Sequence, residues 1–240
     1  MDNTKTLVDA RVHTLVVAAG KGSRFGADIP KQYVQLNDKP ILLHSLVKLA
    51  SSDYINHIFL VVAKDDNHIT HLPLPIPVTY VIGGAERWQS VLAGVAAIGQ
   101  LSTISDNDLV LIHDAARPAV TKAHINKVIQ AAAQETYGAI LAVPVVDTIK
   151  KSTADNYIQQ TLDRRCLWQA QTPQVFRFAA LRDMLAEINK QNLLITDEAS
   201  GFELLGHEIR LVEGSTLNIK LTRPEDKLLL QAVLSHQIAE

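Results

Sequence analysis

The sequence predicts an α/β protein with a mostly parallel central sheet. Short runs of β-branched and aliphatic residues recur along the chain, and each is separated from the next by a stretch long enough for a helix. Apolar residues in these stretches recur at helical spacing, as at Leu42, Leu46 and Leu49. This alternation is typical of parallel sheets covered by helices. The main predicted strands are 12–18, 55–62, 78–82, 109–113 and 138–143.

The predicted helices lie between and after these strands. Thr121 suits the N-cap of the third helix, because a threonine hydroxyl can accept a hydrogen bond from a backbone N–H of the first turn. Pro224 suits the first turn of the last helix. Two further short strands are predicted at 209–212 and 217–221. The predicted helices are 40–50, 86–101, 123–136, 178–189, one that begins at 196–198, and 224–238.

Residues 145–171 have a different pattern, in which polar and apolar residues alternate around a turn-like centre at 154–156. This pattern predicts a protruding β-hairpin. Because a two-stranded hairpin is marginally stable alone, we expect it to pack against a second subunit, which makes the chain a homodimer. The sequence shows no internal repeat or linker, so we expect a single domain over 1–240, with 145–171 as its β-arm subregion.

Length and composition exclude several classes of protein. A chain of 240 residues with 47% hydrophobic residues can build a continuous core, which argues against global disorder. The net charge of −2, without blocks of like charge, predicts no nucleic-acid partner and no binding to anionic membranes. The single Cys166, the absence of an apolar leader segment and the lack of a long uncharged run predict a cytoplasmic protein with no membrane span.

The first strand leads into a glycine-rich loop with the sequence AAGKGSRFG over 18–26, followed by PKQY over 30–33. Glycines let backbone N–H groups turn toward a phosphate, and Lys21, Arg24 and Lys31 add positive charge. The loop therefore predicts a phosphate site, with a tight strand-to-helix connection as the alternative. Its spacing fits neither the P-loop nor the dinucleotide fingerprint, which argues against a nicotinamide-dependent oxidoreductase.

Five further segments follow the loop in a consistent order. They read GGAERWQSV over 83–91, HDAARP over 113–118, LWQAQTPQ over 167–174, ITDEAS over 195–200 and NIKLTRPED over 218–226. Together with the loop, they resemble the 2-C-methyl-D-erythritol 4-phosphate cytidylyltransferase family of polyol-phosphate nucleotidylyltransferases. The resemblance runs from about residue 12 to 230 and implies a three-layer Rossmann-like nucleotidylyltransferase fold.

The resemblance also implies a reaction. Enzymes of this family transfer CMP from CTP to 2-C-methyl-D-erythritol 4-phosphate, which gives 4-diphosphocytidyl-2-C-methyl-D-erythritol and pyrophosphate for non-mevalonate isoprenoid precursor synthesis. Both reactants are anions, so catalysis should depend on positioning and on cations at the α-phosphate of CTP, the co-substrate. The cations at matching positions are Arg24, Lys31 and Lys220.

The remaining implied site residues bind the nucleotide and a metal ion. Asp114 follows an apolar strand, which places its carboxylate at the edge of the sheet where α/β proteins bind ligands. We expect it to hold Mg²⁺ or another divalent cation, with a helix N-cap as the alternative role. Arg87 either pairs within its turn or is solvated, and Ala85 stands where the family can have an acidic residue. The implied nucleotide-binding residues are Ala18, Ala19, Gly20, Gly22, Gly83, Gly84, Ser90, Asp114 and Ala115.

Four residues match the acceptor contacts of the family: Arg117, Thr148, Arg164 and Thr196. An arginine suits a phosphate because its planar guanidinium donates two hydrogen bonds at once. In the family the arm crosses to the partner subunit, which would place all of these except Thr196 in the neighbour's site. Thr196 and the following Asp197 could instead cap a helix.

Two other functions compete with the reaction that the resemblance implies. A ribitol-5-phosphate cytidylyltransferase would use the same chemistry on another small polyol phosphate. A catalytically inactive nucleotide-binding regulatory protein would keep the fold without turnover. The joint presence of Arg24, Lys31, Asp114 and Lys220 argues against an inactive protein.

Overall fold

The computed structural model describes residues 9–20 and 29–239. Its strands are β1 (Val12–Val17), β2 (Gln35–Leu36), β3 (Lys39–Pro40), β4 (Ile58–Val62), β5 (Val78–Ile82), β6 (Leu109–Asp114), β7 (Gly138–Pro144), β8 (Lys150–Ser152), β9 (Ile158–Thr161), β10 (Trp168–Arg177) and β11 (Arg210–Glu213). Its α-helices are α1 (Ile41–Ala50), α2 (Arg87–Gly99), α3 (Lys122–Ala132), α4 (Phe178–Gln191), α5 (Glu198–Leu204) and α6 (Asp226–Ala239).

The central sheet has seven strands in the order β11-β7-β10-β6-β1-β4-β5. Neighbouring strands are parallel except at β10, which runs antiparallel to both β6 and β7. The prediction of a mostly parallel central sheet is therefore confirmed. Val17 is the register partner of Asp114, so β1 and β6 end together at one edge of the sheet. Ligands of open α/β sheets bind at the carboxyl ends of such strands.

Helices cover both faces of the sheet, which makes the fold three layers deep. Alternate residues of a strand point to opposite faces, and on β6 Leu111 faces α1 and α3 while Ile112 faces α2, α4 and α5. Helix α2 packs especially close, since a Cβ on its Gly94 would lie 2.2 Å from Leu15 Cδ1. The expected three-layer Rossmann-like architecture is confirmed. In the part of the chain described, no helix combines the length and apolar character needed to cross a membrane.

The C-terminal helix fixes the segment that precedes it. Leu230 and Leu234 of α6 are buried in a separate cluster with Leu221 and Ala116, which follows β6. The Leu221 N–H also donates to the Ala116 carbonyl over 2.8 Å. The segment just before α6 is thereby held beside the carboxyl end of β6.

Two predictions of secondary structure are wrong in detail. Residues 217–221 form no strand, because Asn218 is held by hydrogen bonds to Gln171 and Thr172 and Leu221 is held beside Ala116. The last helix begins at Asp226 rather than Pro224, since the Asp226 carboxylate accepts the N–H groups of the preceding Thr222 and Arg223.

The expected hairpin is present as β8 and β9, which pair antiparallel apart from the central sheet. Its turn includes Asn156 with a φ of 64°, a left-handed conformation that asparagine tolerates better than most residues. All residues of β8 and β9 are exposed. The end of the 145–171 segment, from residue 168 onward, belongs instead to β10 in the central sheet.

Candidate active site

A cleft of about 390 Å³ opens at the carboxyl edge of β1 and β6. It brings together residues from the first strand, the region before α2, the end of β6 and the segment before α6. Arg24 and Gly22 lie outside the described residues, and Gly83 does not line the cleft. The predicted site residues that line it are Ala18, Ala19, Gly20, Lys31, Gly84, Ser90, Asp114, Ala115 and Lys220.

The wall after β1 is held by backbone contacts. The Ala18 N–H donates to the Val61 carbonyl over 2.8 Å, and the buried Gln32 donates its Nε2 to the Ala18 carbonyl over 2.6 Å. Gln32 lies in the 3-10 turn Lys31–Tyr33, whose first residue also lines the cleft. This turn therefore fixes the position of Lys31 relative to the end of β1.

The second wall is the turn between β5 and α2. The Ser90 hydroxyl accepts the Gly84 N–H over 3.2 Å and donates to the Glu86 carbonyl over 3.3 Å. The Glu86 N–H donates to Gln89 Oε1 over 3.0 Å, which satisfies a backbone donor at the start of α2. A Cβ on Gly83 would lie 2.6 Å from Ala19 Cβ, so the two walls meet at a position that requires glycine.

Asp114 lies at the centre of the cleft and is 8% exposed. Its Oδ2 is 2.7 Å from Lys220 Nζ, and its Oδ1 is 3.2 Å from Arg87 Nε. Burial by itself raises the pKa of Asp114, but the charges of Arg87 and Lys220 hold it well below the usual range. The carboxylate is therefore ionised at neutral pH. The N-cap alternative is wrong, because Thr121 caps the helix that follows β6.

Arg87 is paired rather than solvated, but its partners Asp114 and Glu198 lie outside its own turn, so neither sequence-based interpretation describes it fully. Its Nη1 donates to both carboxylate oxygens of Glu198, over 2.7 and 2.9 Å. Glu198 is completely buried, and burial raises its pKa while Arg87 opposes that rise. Burial lowers the pKa of Arg87, but the charges of Glu198 and Asp114 outweigh burial and raise it above its usual value. Sequence reasoning missed Glu198, although it lies within the quoted 195–200 segment.

His113 supports Asp114 from behind through a chain of hydrogen bonds. Its Nε2 lies 3.0 Å from the Arg117 carbonyl, which can only accept, so Nε2 carries the proton. Nδ1 then accepts from the Thr172 hydroxyl at 3.1 Å, and the Thr172 oxygen accepts the Asp114 N–H at 3.1 Å. Burial lowers the pKa of His113 to about 4, so the imidazole is neutral at physiological pH.

The four acceptor candidates do not line this cleft. The Arg117 guanidinium donates to the carbonyl of Asn218 over 2.7 Å and more weakly to that of Ala170. Thr148 and Arg164 are exposed at the base of the hairpin, where the Arg164 guanidinium contacts the Val146 carbonyl.

The last acceptor candidate, Thr196, precedes α5 and is exposed. Its hydroxyl lies 3.4 Å from Ser200 Oγ. The adjacent Asp197 is the N-cap of α5 and accepts the Ser200 N–H over 2.9 Å. Within one chain, the residues matched to the acceptor therefore lie outside the cleft that the residues matched to the nucleotide line.

The donor set in the cleft fits a magnesium site of the kind that one carboxylate and substrate phosphates build together. Across residues 9–20 and 29–239, no three His, Cys, Asp or Glu side chains cluster as metal ligands. Mg²⁺ commonly binds through one or two carboxylates, substrate phosphates and water. Each Asp114 oxygen contacts one cationic side chain and keeps a second lone pair for a further ligand.

Comparisons with known proteins identify the family of this chain. The sequence profile described as 2-C-methyl-D-erythritol 4-phosphate cytidylyltransferase matches residues 12–236. The protein of that name from Psychrobacter cryohalolentis is 48% identical, and the match covers 95% of this chain and 94% of that protein. The one from Vibrio cholerae is 44% identical, over 92% of this chain and 95% of that protein.

Solved structures agree as well. The 2-C-methyl-D-erythritol 4-phosphate cytidylyltransferase of Francisella tularensis superposes with a TM-score of 0.80 at 31% identity, over 93% of this chain and 100% of that one. The enzyme of the same name from Thermus thermophilus gives a TM-score of 0.77 at 28% identity, over 94% and 99% of the two chains. By sequence and by fold, this chain belongs to the 2-C-methyl-D-erythritol 4-phosphate cytidylyltransferase family.

Proposed function

We propose that the cleft at the carboxyl edge of β1 and β6 is where this chain carries out the reaction of its family. The chain transfers CMP from CTP to 2-C-methyl-D-erythritol 4-phosphate, and gives 4-diphosphocytidyl-2-C-methyl-D-erythritol and pyrophosphate. The single observation that carries the choice of site is the convergence of Lys31, Asp114 and Lys220 on one cleft with the two glycine-containing walls. The family match favours this acceptor over ribitol 5-phosphate and favours an active enzyme over a regulatory protein.

CTP binds between the two walls in this proposal. Backbone groups of Ala18, Ala19 and Gly20 meet the triphosphate, together with Gly22 of the same loop. Gly84, with its N–H fixed by Ser90, faces the cytidine, and Ala115 closes the cleft beside Asp114. Gly83 contributes by its small size, because any side chain there would push Ala19 and Ser90 apart.

The reaction is an in-line displacement at phosphorus. A phosphate oxygen of the acceptor forms a bond to the α-phosphorus of CTP, while the bond from that phosphorus to the β-phosphate bridging oxygen breaks. The electron pair of the broken bond leaves with pyrophosphate. Lys31 and Lys220, with Arg24, provide positive charge where negative charge builds up in the transition state. Lys220 contacts Asp114 in the described structure. Once CTP is present, the Lys220 side chain can move so that its ammonium contacts a phosphate oxygen instead.

Asp114 is the residue that would hold the divalent cation, for which Mg²⁺ is the expected ion. When bound, such an ion neutralises phosphate charge and polarises a phosphoryl oxygen. The protein's own contribution is to keep the Asp114 carboxylate ionised and facing the cleft, which its contacts with Arg87 and Lys220 achieve.

The acceptor side of the proposal requires a second subunit. Thr148 and Arg164 are exposed at the base of the hairpin and, like Arg117, do not line the cleft of their own chain. The hairpin also exposes apolar side chains, since Tyr157 is 74% and Ile158 is 69% exposed. A homodimer in which the hairpin of each chain crosses to its partner would cover these side chains and complete both sites. Thr196 would act from the chain that binds CTP.

The proposal includes two further expectations about the chain. It treats residues 1–240 as one domain with 145–171 as its arm, and it places the enzyme in the cytoplasm. The free and exposed Cys166 suits a reducing compartment.

The test is to follow pyrophosphate release from CTP and Mg²⁺ with 2-C-methyl-D-erythritol 4-phosphate as acceptor, with ribitol 5-phosphate in parallel. Release with the first acceptor and little with the second supports the proposal. Release only with ribitol 5-phosphate would keep the chemistry and change the acceptor. No release with either acceptor would indicate a nucleotide-binding protein without turnover.

A further inference from the structure

Arg87 and Glu198 form a buried ion pair beside the reacting centre that the reaction scheme above does not use. Arg87 begins α2 at the nucleotide wall, and Glu198 begins α5 directly after the Thr196 segment. Asp114, at the end of β6, lies against the same guanidinium. Three elements, α2, β6 and α5, thus meet at one side chain, and they contain or adjoin residues predicted to bind the nucleotide, the metal and the acceptor.

The geometry of the guanidinium links the two carboxylates. Its atoms lie in one plane, so a contact that holds Nη1 also limits the directions in which the Nε–H bond can point. Nη1 is held by both oxygens of Glu198, at 2.7 and 2.9 Å, and Glu198 is completely buried. The Nε donor then points at Asp114 Oδ1 over 3.2 Å. One guanidinium therefore links the two carboxylates, Glu198 through Nη1 and Asp114 through Nε.

Fold stability alone does not explain this pair. A buried ion pair contributes little net stability, because the cost of desolvating both charges offsets their attraction, and apolar residues of similar volume often serve as well. Arg87 is also not sealed in the core: its side chain is 27% exposed and lines the cleft. The pair lies where it can act on the bound reactants.

The pair matters most at the moment when Lys220 leaves Asp114. In the described structure, the carboxylates of Asp114 and Glu198 face the cations Arg87 and Lys220, so the charges balance. Once the Lys220 ammonium moves to a phosphate, Arg87 is the side chain of this group that still restrains Asp114. Arg87 contacts Oδ1 of Asp114, whereas Lys220 contacts Oδ2. The movement of Lys220 therefore leaves Oδ2 available for a new ligand while Arg87 still holds Oδ1.

We propose that Arg87 and Glu198 are positioning residues for nucleotidyl transfer, which act by holding Asp114 Oδ1 so that Oδ2 faces the cation and phosphates. The inference rests on the proposed role of Asp114. It assigns a task to Glu198, which is completely buried and does not line the cleft. It also makes α5 a support for the nucleotide half of the site as well as the helix that follows Thr196.

The first test is Glu198→Gln, which keeps the shape of the side chain and removes its charge. We expect kcat to fall by about 10-fold to 100-fold, the usual cost of losing a group that orients a metal ligand. The KM for CTP should change by less than about threefold, because the glycine walls remain. A Mn²⁺ titration of the protein saturated with CTP, in the absence of acceptor, should show weaker binding by a similar factor to the loss in kcat.

The second test separates positioning from folding. The double variant Arg87→Met/Glu198→Leu replaces both charges with apolar side chains, so no buried charge or amide is left unpaired and we expect it to fold with a melting temperature close to that of the wild type. It should nevertheless show the reduced kcat and the weakened Mn²⁺ binding. The matched control is Asp183→Asn, which breaks the exposed Arg182–Asp183 pair and should leave all three quantities unchanged.

Wild-type kcat and Mn²⁺ affinity in either folded variant would overturn the inference, even if the melting temperature fell. That result would leave the proposed function intact, because the wild-type protein would still release pyrophosphate. A wild-type protein without turnover would instead overturn the proposed function, and the Mn²⁺ titration would still decide whether Glu198 orients Asp114.

Discussion

Lys220 Nζ lies 2.7 Å from Asp114 Oδ2, although the two residues are 106 positions apart in the chain. The contact forms because α6 anchors the segment before it next to the residues that follow β6. It places the last cation of the sequence-predicted site against the carboxylate at the centre of the cleft. The side chain of Lys220 is 34% exposed, so it is accessible to a phosphate ligand.

Lys220→Met should lower kcat by about 100-fold or more, because it removes a cation that acts mainly in the transition state. Binding of CTP should weaken less than turnover, and thermal unfolding should shift little, since Arg87 still pairs with Asp114. Steady-state kinetics with calorimetric measurement of CTP binding would check this. Lys122→Met is the matched control, because it removes a lysine whose ion pair with Asp53 is exposed. If both variants kept wild-type kcat, the catalytic role of Lys220 would be wrong.

Gly83→Ala should raise the KM for CTP by about tenfold, which corresponds to roughly 1.4 kcal/mol. The added methyl would lie 2.6 Å from Ala19 Cβ and 2.7 Å from Ser90 Oγ, so the two nucleotide walls must separate. Gly99→Ala is the control, because its methyl would meet Phe178 at an ordinary 3.4 Å at the end of α2. An unchanged KM in a correctly folded Gly83→Ala protein would contradict the assignment of these walls to CTP.

The inner strands were predictable because their residues are buried on both faces and therefore read as continuous apolar runs, as in β4 and β6. Strand β10 was missed for the opposite reason. It contains Pro173 and the glutamines at 169, 171 and 174, two of which are buried and satisfied only by distant partners. Gln174 donates to Asp197 and Gln171 to the Ser215 carbonyl. Periodicity cannot reveal a buried polar residue whose partner lies elsewhere in the chain.

The same limit applies to the site. Asp114 and Lys220 could be found because each lies in a segment that resembles the family, and the structure brings both to one cleft. Glu198 could not, because an acidic residue in the first turn of a helix is ordinarily explained by the helix dipole. Its complete burial and its pairing with Arg87 depend on how α2 and α5 pack over the sheet. The sequence offered one signal for this pair: Arg87 and Glu198 carry opposite charges and each lies in a segment that resembles the family.

His113 should make the protein less stable in mildly acidic solution. Its pKa is lowered by burial to about 4 from an ordinary value of 6.5, so below pH 6.5 the unfolded chain takes up a proton that the folded protein does not. The neutral imidazole contributes up to about 3 kcal/mol to the free energy of unfolding. This contribution is complete above pH 6.5 and is lost as the pH falls toward 4.

The measurement is the free energy of unfolding at pH 7.5 and at pH 5, for the wild type and for His113→Gln. Glutamine can donate to the Arg117 carbonyl and accept from Thr172 but does not titrate. We expect the variant to lose less stability between the two pH values than the wild type. An equal loss in both proteins would show that other groups cause the acid sensitivity.

Mixing two inactive variants should restore activity if the hairpin completes the neighbour's site. Asp114→Asn damages the cleft of its own chain, and Arg164→Ala damages the hairpin base that the partner uses. A mixed dimer then holds one site with both residues intact and one with neither. With random exchange of subunits, the mixture should reach roughly a quarter of wild-type activity, whereas each variant alone should have very little.

The experiment requires that subunit exchange be verified, for example by differently tagged chains that co-purify after mixing. Recovery would mean that Arg164 and Asp114 act on the same substrates from different chains, which explains why Arg164 is exposed and outside the cleft in a single chain. Exchange without recovery would contradict the shared site, because Arg164 would then serve the cleft of its own chain. A wild-type protein that is monomeric at full activity would contradict it as well.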